Sequence, residues 1–330
     1  MTDPLVSLDA IRDAAKTLDG ITTRTPLVPF GPPADRRFLK AESLQPIGAF
    51  KLRGAYVAVA ALDPADRARG VITYSSGNHA QGVARAARLF GVPVVIVMPS
   101  DAPAIKRERV AADGAEIVVV GTASDERQQV AEMIAAERGL AIIPPFDDDR
   151  IIAGQGTIGL ELIEDLSDLA VVLVPVGGGG LASGVATAVR SIRPNIRVIG
   201  VEPELAADAR DSLAAGRIVR WPPDQVSRTI ADGTRTQALG ARTFAHMRAY
   251  LESIVVVSEA EIAAAVRLAA ERSRLVVEPS GALGIAAMAF HARELGLDTG
   301  HGPVVAVVSG GNVDPEQYRV LLSAPIPPEA

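Results

Sequence analysis

The chain contains no cysteine. Disulfides, thiolate nucleophiles and Cys-bound metals are therefore excluded. Aromatic residues make up only 4% of the 330 residues, while 48% are hydrophobic, a balance suited to the Ala, Val, Ile and Leu packing of an α/β protein. No apolar run reaches membrane-spanning length. The net charge of −6 gives no electrostatic case for nucleic acid or an acidic membrane. The four histidines, His79, His246, His291 and His301, show no metal-ligand spacing. Met1-Thr2-Asp3-Pro4 is acidic and polar and does not read as a signal peptide, so a cytoplasmic protein is expected. Lysine is scarce as well: Lys16, Lys40, Lys51 and Lys106 are all there is.

Lys51 alone of these four is flanked by small and apolar residues at a loop-to-helix junction, in Gly48-Ala49-Phe50-Lys51-Leu52-Arg53-Gly54-Ala55. Partial desolvation there favours the neutral, nucleophilic amine. A neutral lysine can form a Schiff base with an aldehyde cofactor. Taken alone, Lys51 fits a surface helix equally well. A second segment, Val171-Val172-Leu173-Val174-Pro175-Val176, reads as a buried strand and runs into four glycines, Gly177 to Gly180, and then a helical pattern. A glycine loop between a strand and a helix start presents backbone N–H groups to an anion, with the helix dipole in support. It carries neither the lysine of a P-loop nor the spacing of a dinucleotide fingerprint. A phosphate cradle is the expected role.

The length points to two domains. A helix is expected over 8–18, a strand over 37–42 and a helix over 51–62. Strand and helix then alternate through residues 71–143, as in a small parallel α/β unit. A second series follows: a helix near 157–166, strand 171–176, helix 181–193, strand 197–201, helices 237–250 and 259–274, and a closing strand 304–308. Residues 216–236 read as a long loop. Ser75–His79, Gly177–Gly180 and Ser309–Asn312 all fall at C-terminal ends of strands, the edge where open α/β sheets bind ligands.

With these loops in view, the chain resembles the fold type II pyridoxal-phosphate enzymes of the threonine dehydratase and serine racemase family. Six segments carry the resemblance in order: Gly48–Ala55, Ser75-Ser76-Gly77-Asn78-His79-Ala80-Gln81-Gly82, Ala153-Gly154-Gln155-Gly156-Thr157, Gly177–Gly180, Val277-Glu278-Pro279-Ser280-Gly281-Ala282 and Ser309-Gly310-Gly311-Asn312. The resemblance implies an α/β fold like the tryptophan synthase β chain, with two open parallel-sheet domains and pyridoxal 5'-phosphate between them. Residues 1–69 and 148–330 would form the large domain and 70–147 the small one.

The resemblance also implies roles. Lys51 would hold the cofactor and act as the base at Cα. Phe50 would pack on the pyridine ring, Asn78 would meet its 3' oxygen, Gly177, Gly178, Gly179 and Gly180 would bind its phosphate, and Ser309 would face its nitrogen, with Glu278 close by. A serine there does not enforce a protonated ring, so the cofactor is a weaker electron sink and prompt loss of a β-substituent is favoured. Ser75, Ser76, Asn78 and His79 would receive the substrate carboxylate, with Arg127 near it. Outside the motif, His79 reads as a buried or capping histidine and Arg127 as a surface arginine. Ser76 resembles the serine of racemases and hydroxyaspartate dehydratases, where it can protonate Cα opposite the lysine. Glu202, Ala206 and Asp208 resemble a divalent-cation site, with oxygen ligands suited to Mg2+, Ca2+ or Mn2+. The expected activity is β-elimination of ammonia from L-threonine, L-serine or a related β-hydroxy amino acid, with serine racemase and 3-hydroxyaspartate dehydratase as alternatives. A homodimer acting on a small amino-acid substrate is expected. Side-chain selection is expected from the loop around residues 227–236.

Overall fold

A computed structural model describes residues 4–75, 77–100, 102, 104–121, 124–297 and 302–328, with the side chains of 104, 105, 124 and 125 outside the description. Among the described residues, ten strands form two sheets: β1 (Leu27–Pro29), β2 (Arg37–Ala41), β3 (Val71–Tyr74), β4 (Val94–Pro99), β5 (Glu116–Val120), β6 (Ala141–Ile142), β7 (Val171–Pro175), β8 (Arg197–Pro203), β9 (Ser253–Val257) and β10 (Val304–Val308). The larger sheet has the order β1-β2-β10-β7-β8-β9 and the smaller β5-β4-β3-β6. The two-sheet α/β class expected from sequence is the one observed. Pairing is parallel throughout except that β1 lies antiparallel to β2. Strand β10 does not close the larger sheet. It sits inside, between β2 and β7, and the edge belongs to β9.

The inner strands are β-branched runs buried on both faces. All five residues of β7 and of β10 are buried, as expected where helices cover both sides of a parallel sheet. One cover is the helix Pro279–Phe290, buried at every position. The helix Asp149–Asp165 starts earlier than its apolar spacing suggests, because the side chain of Asp148 accepts from Arg150 N at 2.8 Å and caps it.

A buried ionic cluster fixes the helix Lys51–Ala60. Arg53, 1% exposed, meets Glu42, 0% exposed, at 2.8 Å and Glu161 at 2.6 Å. Glu161 in turn pairs with the buried Lys40 at 2.6 Å, and Thr25 donates to Glu42 at 2.6 Å. Buried ions are tolerable only when every member is paired in this way. Burial alone would push the Glu42 carboxyl up, but Arg53 and Lys40 outweigh it and hold it below the usual range.

Candidate active site

One cavity of about 290 Å³ is lined by loops at the C-terminal ends of both sheets, following β3, β6, β7 and β10. Lys51 opens its helix with Phe50 as the preceding cap. Main-chain pairing ties this turn to the loop after β10: Phe50 N donates to Ser309 O at 3.0 Å and Gly311 N to Gly48 O at 2.9 Å. Lys51 Nζ opens on the cavity, donates to Pro145 O at 2.7 Å and lies 5.2 Å from the centre of the Phe50 ring. Burial pulls its ammonium down from 10.5 to about 8, so a substantial fraction is neutral near physiological pH.

The Gly177–Gly180 loop joins β7 to the helix Gly180–Ile192. Gly179 has φ +89°, a conformation that side chains avoid. A Cβ at Gly178 would lie 2.2 Å from the Phe146 ring. The loop backbone is therefore bare toward the cavity at a helix N-terminus, as a phosphate cradle requires. Ser309 is buried at the cavity wall, and among the described residues its hydroxyl makes one bond, a long 3.4 Å donation to Ser280 O.

Asn78 starts the helix Asn78–Phe90 at the end of β3. Its Nδ2 donates to Glu278 Oε1 at 2.5 Å and its Oδ1 accepts from Asn312 Nδ2 at 2.8 Å. Glu278 is pushed up to about 7, chiefly by burial and then by the nearby Asp232. His79 is buried, with Nε2 3.0 Å from Ile143 O. Its pKa falls to about 3 through burial and the charge of Lys51, so the ring is neutral. With Nε2–H given to a carbonyl, Nδ1 is an acceptor, and a carboxylate at this loop would meet backbone N–H groups rather than an imidazolium. Ser75 and Arg127 also line the cavity. Ser76 lies outside the described residues.

Lys51, Phe50, Ser75, Asn78, His79, Arg127, the four glycines, Glu278 and Ser309 thus surround one space. Several neighbours were given no role by the sequence. Lys106 and Asp232 form a 2.5 Å pair beside the cavity, Phe146 covers the glycine loop, and Asn312 receives Arg109 while holding Asn78. The rarity of lysine was the one available signal for Lys106.

Glu202, Ala206 and Asp208, the cation ligands expected from the resemblance, do not line this cavity. Glu202, at the end of β8, accepts from Ala209 N at 3.0 Å and Arg210 N at 2.8 Å, capping the helix Asp208–Ala215. Asp208 is fully buried with neither carboxylate oxygen partnered, and burial raises its pKa to about 7. Ala206 is buried beside them in the connecting turn. Among the described residues no three His, Cys, Asp or Glu side chains cluster as a metal site.

Residues 18–310 match the family model described as pyridoxal-phosphate dependent enzyme. The chain belongs to that family. L-threo-3-hydroxyaspartate ammonia-lyase of Saccharomyces cerevisiae is 42% identical over 318 residues, covering 95% of each chain. L-threonine ammonia-lyase of Thermotoga maritima is 41% identical over 94% of this chain and 76% of its own. The structure of maize serine racemase superposes with a TM-score of 0.90 at 37% identity, covering 96% of this chain and 97% of that one. These names support an ammonia-lyase and keep the racemase alternative beside it. Among the described residues no helix is long and apolar enough to cross a membrane.

Proposed function

We propose that the protein is an ammonia-lyase that removes the β-hydroxyl and the amine of L-threonine, L-serine or a related β-hydroxy amino acid, giving a 2-oxo acid and ammonia. The observation that carries this reading is Lys51, a desolvated amine near pH 8 facing both a bare glycine loop and a helix start across one cavity. Gly177 to Gly180 would hold the phosphate, Phe50 and Ser309 the ring, and Lys51 the reactive end. When bound, pyridoxal phosphate supplies an aldehyde that condenses with amines and a ring that draws electron density from Cα.

Ser75 and the first N–H groups of the helix Asn78–Phe90 hold the substrate carboxylate and so fix Cα near Lys51. Neutral Lys51 takes the Cα proton. The Cβ–O bond breaks, the hydroxyl leaves as water on receiving the proton that Lys51 carries, and the released enamine takes up water to give the 2-oxo acid and ammonia. Ser309 offers a neutral hydroxyl where an aspartate would impose charge, which favours this loss over prolonged storage of charge at Cα. Water exclusion falls to Phe146 and Pro145 at the cavity wall.

Asp208 suits a hard cation: its orphaned oxygens are buried and need either a proton or a metal. Glu202 and the Ala206 carbonyl would complete the protein ligands to Mg2+ or Ca2+. The same reading assigns residues 70–147 to a small domain and 1–69 with 148–330 to a large one, in a cytoplasmic homodimer; light scattering on the purified enzyme tests the dimer.

Formation of 2-oxo acid by wild type, and its loss in Lys51→Ala, tests the assignment. The second reading, serine racemase, draws on Ser76 and on the racemases among the relatives. Ser76→Ala should stop racemisation while sparing much of the elimination from L-serine; unchanged racemisation in the variant would exclude Ser76 as the second base, and no racemisation by the wild type would exclude the reading.

A further inference from the structure

We propose that Lys106 is the cation that reads a second carboxylate on the substrate, one carried at Cβ as in the 3-hydroxyaspartates. The inference rests on the ammonia-lyase reading and narrows its substrate. A second carboxylate brings uncompensated charge into the cavity and needs a cation there. Side-chain selection was expected from the loop around residues 227–236, yet its arginines are committed elsewhere. Arg235 gives both Nε and Nη2 to Thr229 O, at 2.9 and 2.6 Å, and Arg228 gives Nε to Gln225 O. Arg220 lines the cavity but is exposed and bonded to Gln237.

Lys106 comes instead from the helix Ala104–Ala112 of the smaller-sheet unit. Its side chain is 8% exposed, and Nζ lies 3.7 Å from where a Cβ on Gly77 would be, beside the loop proposed to hold the α-carboxylate. Its partner is Asp232 of the larger-sheet unit, at 2.5 Å. The pair is asymmetric: the lysine is enclosed, whereas the aspartate side chain is 38% exposed. Asp232 can turn to water at little cost, while Lys106 cannot be left unpaired. A substrate carboxylate taking the place of Asp232 exchanges one anion for another, so the buried ammonium stays paired throughout. Monocarboxylate substrates leave Asp232 where it is. Lys106 thus selects the side chain, and Asp232 competes with it.

The two residues should then act with opposite sign, which a purely structural bridge would not. The test is calorimetric binding of succinate, which has the carbon chain and both carboxylates of aspartate, and of propionate to holoenzyme variants. Lys106→Met should lower succinate affinity about tenfold relative to propionate, with partial rescue in Lys106→Arg. Asp232→Asn should raise succinate affinity. In turnover the same preference should move through KM for 3-hydroxyaspartate against L-serine. Failure of wild type to bind succinate, an unchanged succinate-to-propionate ratio, or equal weakening by both substitutions overturns the inference. Absence of turnover with every β-hydroxy amino acid would instead overturn the lyase reading, while the binding comparison would still judge Lys106.

Discussion

Lys51 donates to the carbonyl oxygen of Pro145 at 2.7 Å, so the helix start whose preceding turn pairs with the loop after β10 is tied to the segment that leaves the smaller sheet. This bond holds the amine at the cavity wall, where burial lowers its pKa. It also leaves the nitrogen hydrogen-bonded before any cofactor arrives, which orients its lone pair. Replacing Lys51 by alanine should cut turnover by about 10³-fold or more and remove the visible absorbance of the loaded enzyme. Melting temperature should change little, because the side chain borders a cavity. Steady-state assay and spectroscopy on the same preparation check both points.

The pH dependence of cofactor loading follows from the same amine. Lys51 loses its proton at about 8 in the fold against 10.5 for a free lysine. Cofactor-free protein should take up pyridoxal phosphate faster as pH rises, about tenfold per unit below 8 and levelling above it. Between about 8 and 10.5 the unfolded chain holds the proton and the folded one does not, so unloaded protein should also gain stability as pH rises through that window. Stopped-flow loading and denaturant titrations across the range measure the two effects.

The cluster behind the lysine makes a separate prediction. Arg53 stands two residues after Lys51 and is held by Glu42 and Glu161. Arg53→Met should cost about 3–5 kcal/mol by stranding buried carboxylates. The double substitution Arg53→Met with Glu42→Leu should recover part of that loss. Urea unfolding of the single and double variants reads the difference, and additive losses would show that the pair is uncoupled.

Much of this site was legible in the chain because its signals are local. A glycine run between a buried strand and a helix, or a lysine among small residues, is visible within about ten positions, on the scale of the periodicity window. The helix Pro279–Phe290 was not legible, since it is apolar on every side and carries no helical stripe. Neither was the inner place of β10, which depends on strand pairing with β2 and β7 from distant parts of the chain. Links such as Lys106 to Asp232 and Asn78 to Glu278 span 126 and 200 positions, and no pattern in the sequence announces them. His79 carried a local signal that pointed to the substrate loop, but its ring is neutral through burial and the charge of Lys51, and its Nε2 is committed to Ile143, just past the end of β6.

The proposed cation site is tested away from catalysis. Millimolar Mg2+ should raise the melting temperature of the wild type, because a cation would partner the buried oxygens of Asp208. Asp208→Asn should abolish the rise. An equal rise in both proteins would place the bound ion elsewhere.

The most direct measurement follows 2-oxo acid and ammonia together when purified holoenzyme meets L-serine, L-threonine and the 3-hydroxyaspartates. Stoichiometric release of both from at least one of them, absent in Lys51→Ala, is the result expected of a lysine-based elimination in this cavity. Equal release by wild type and Lys51→Ala, or none by a wild type carrying its cofactor, would contradict it.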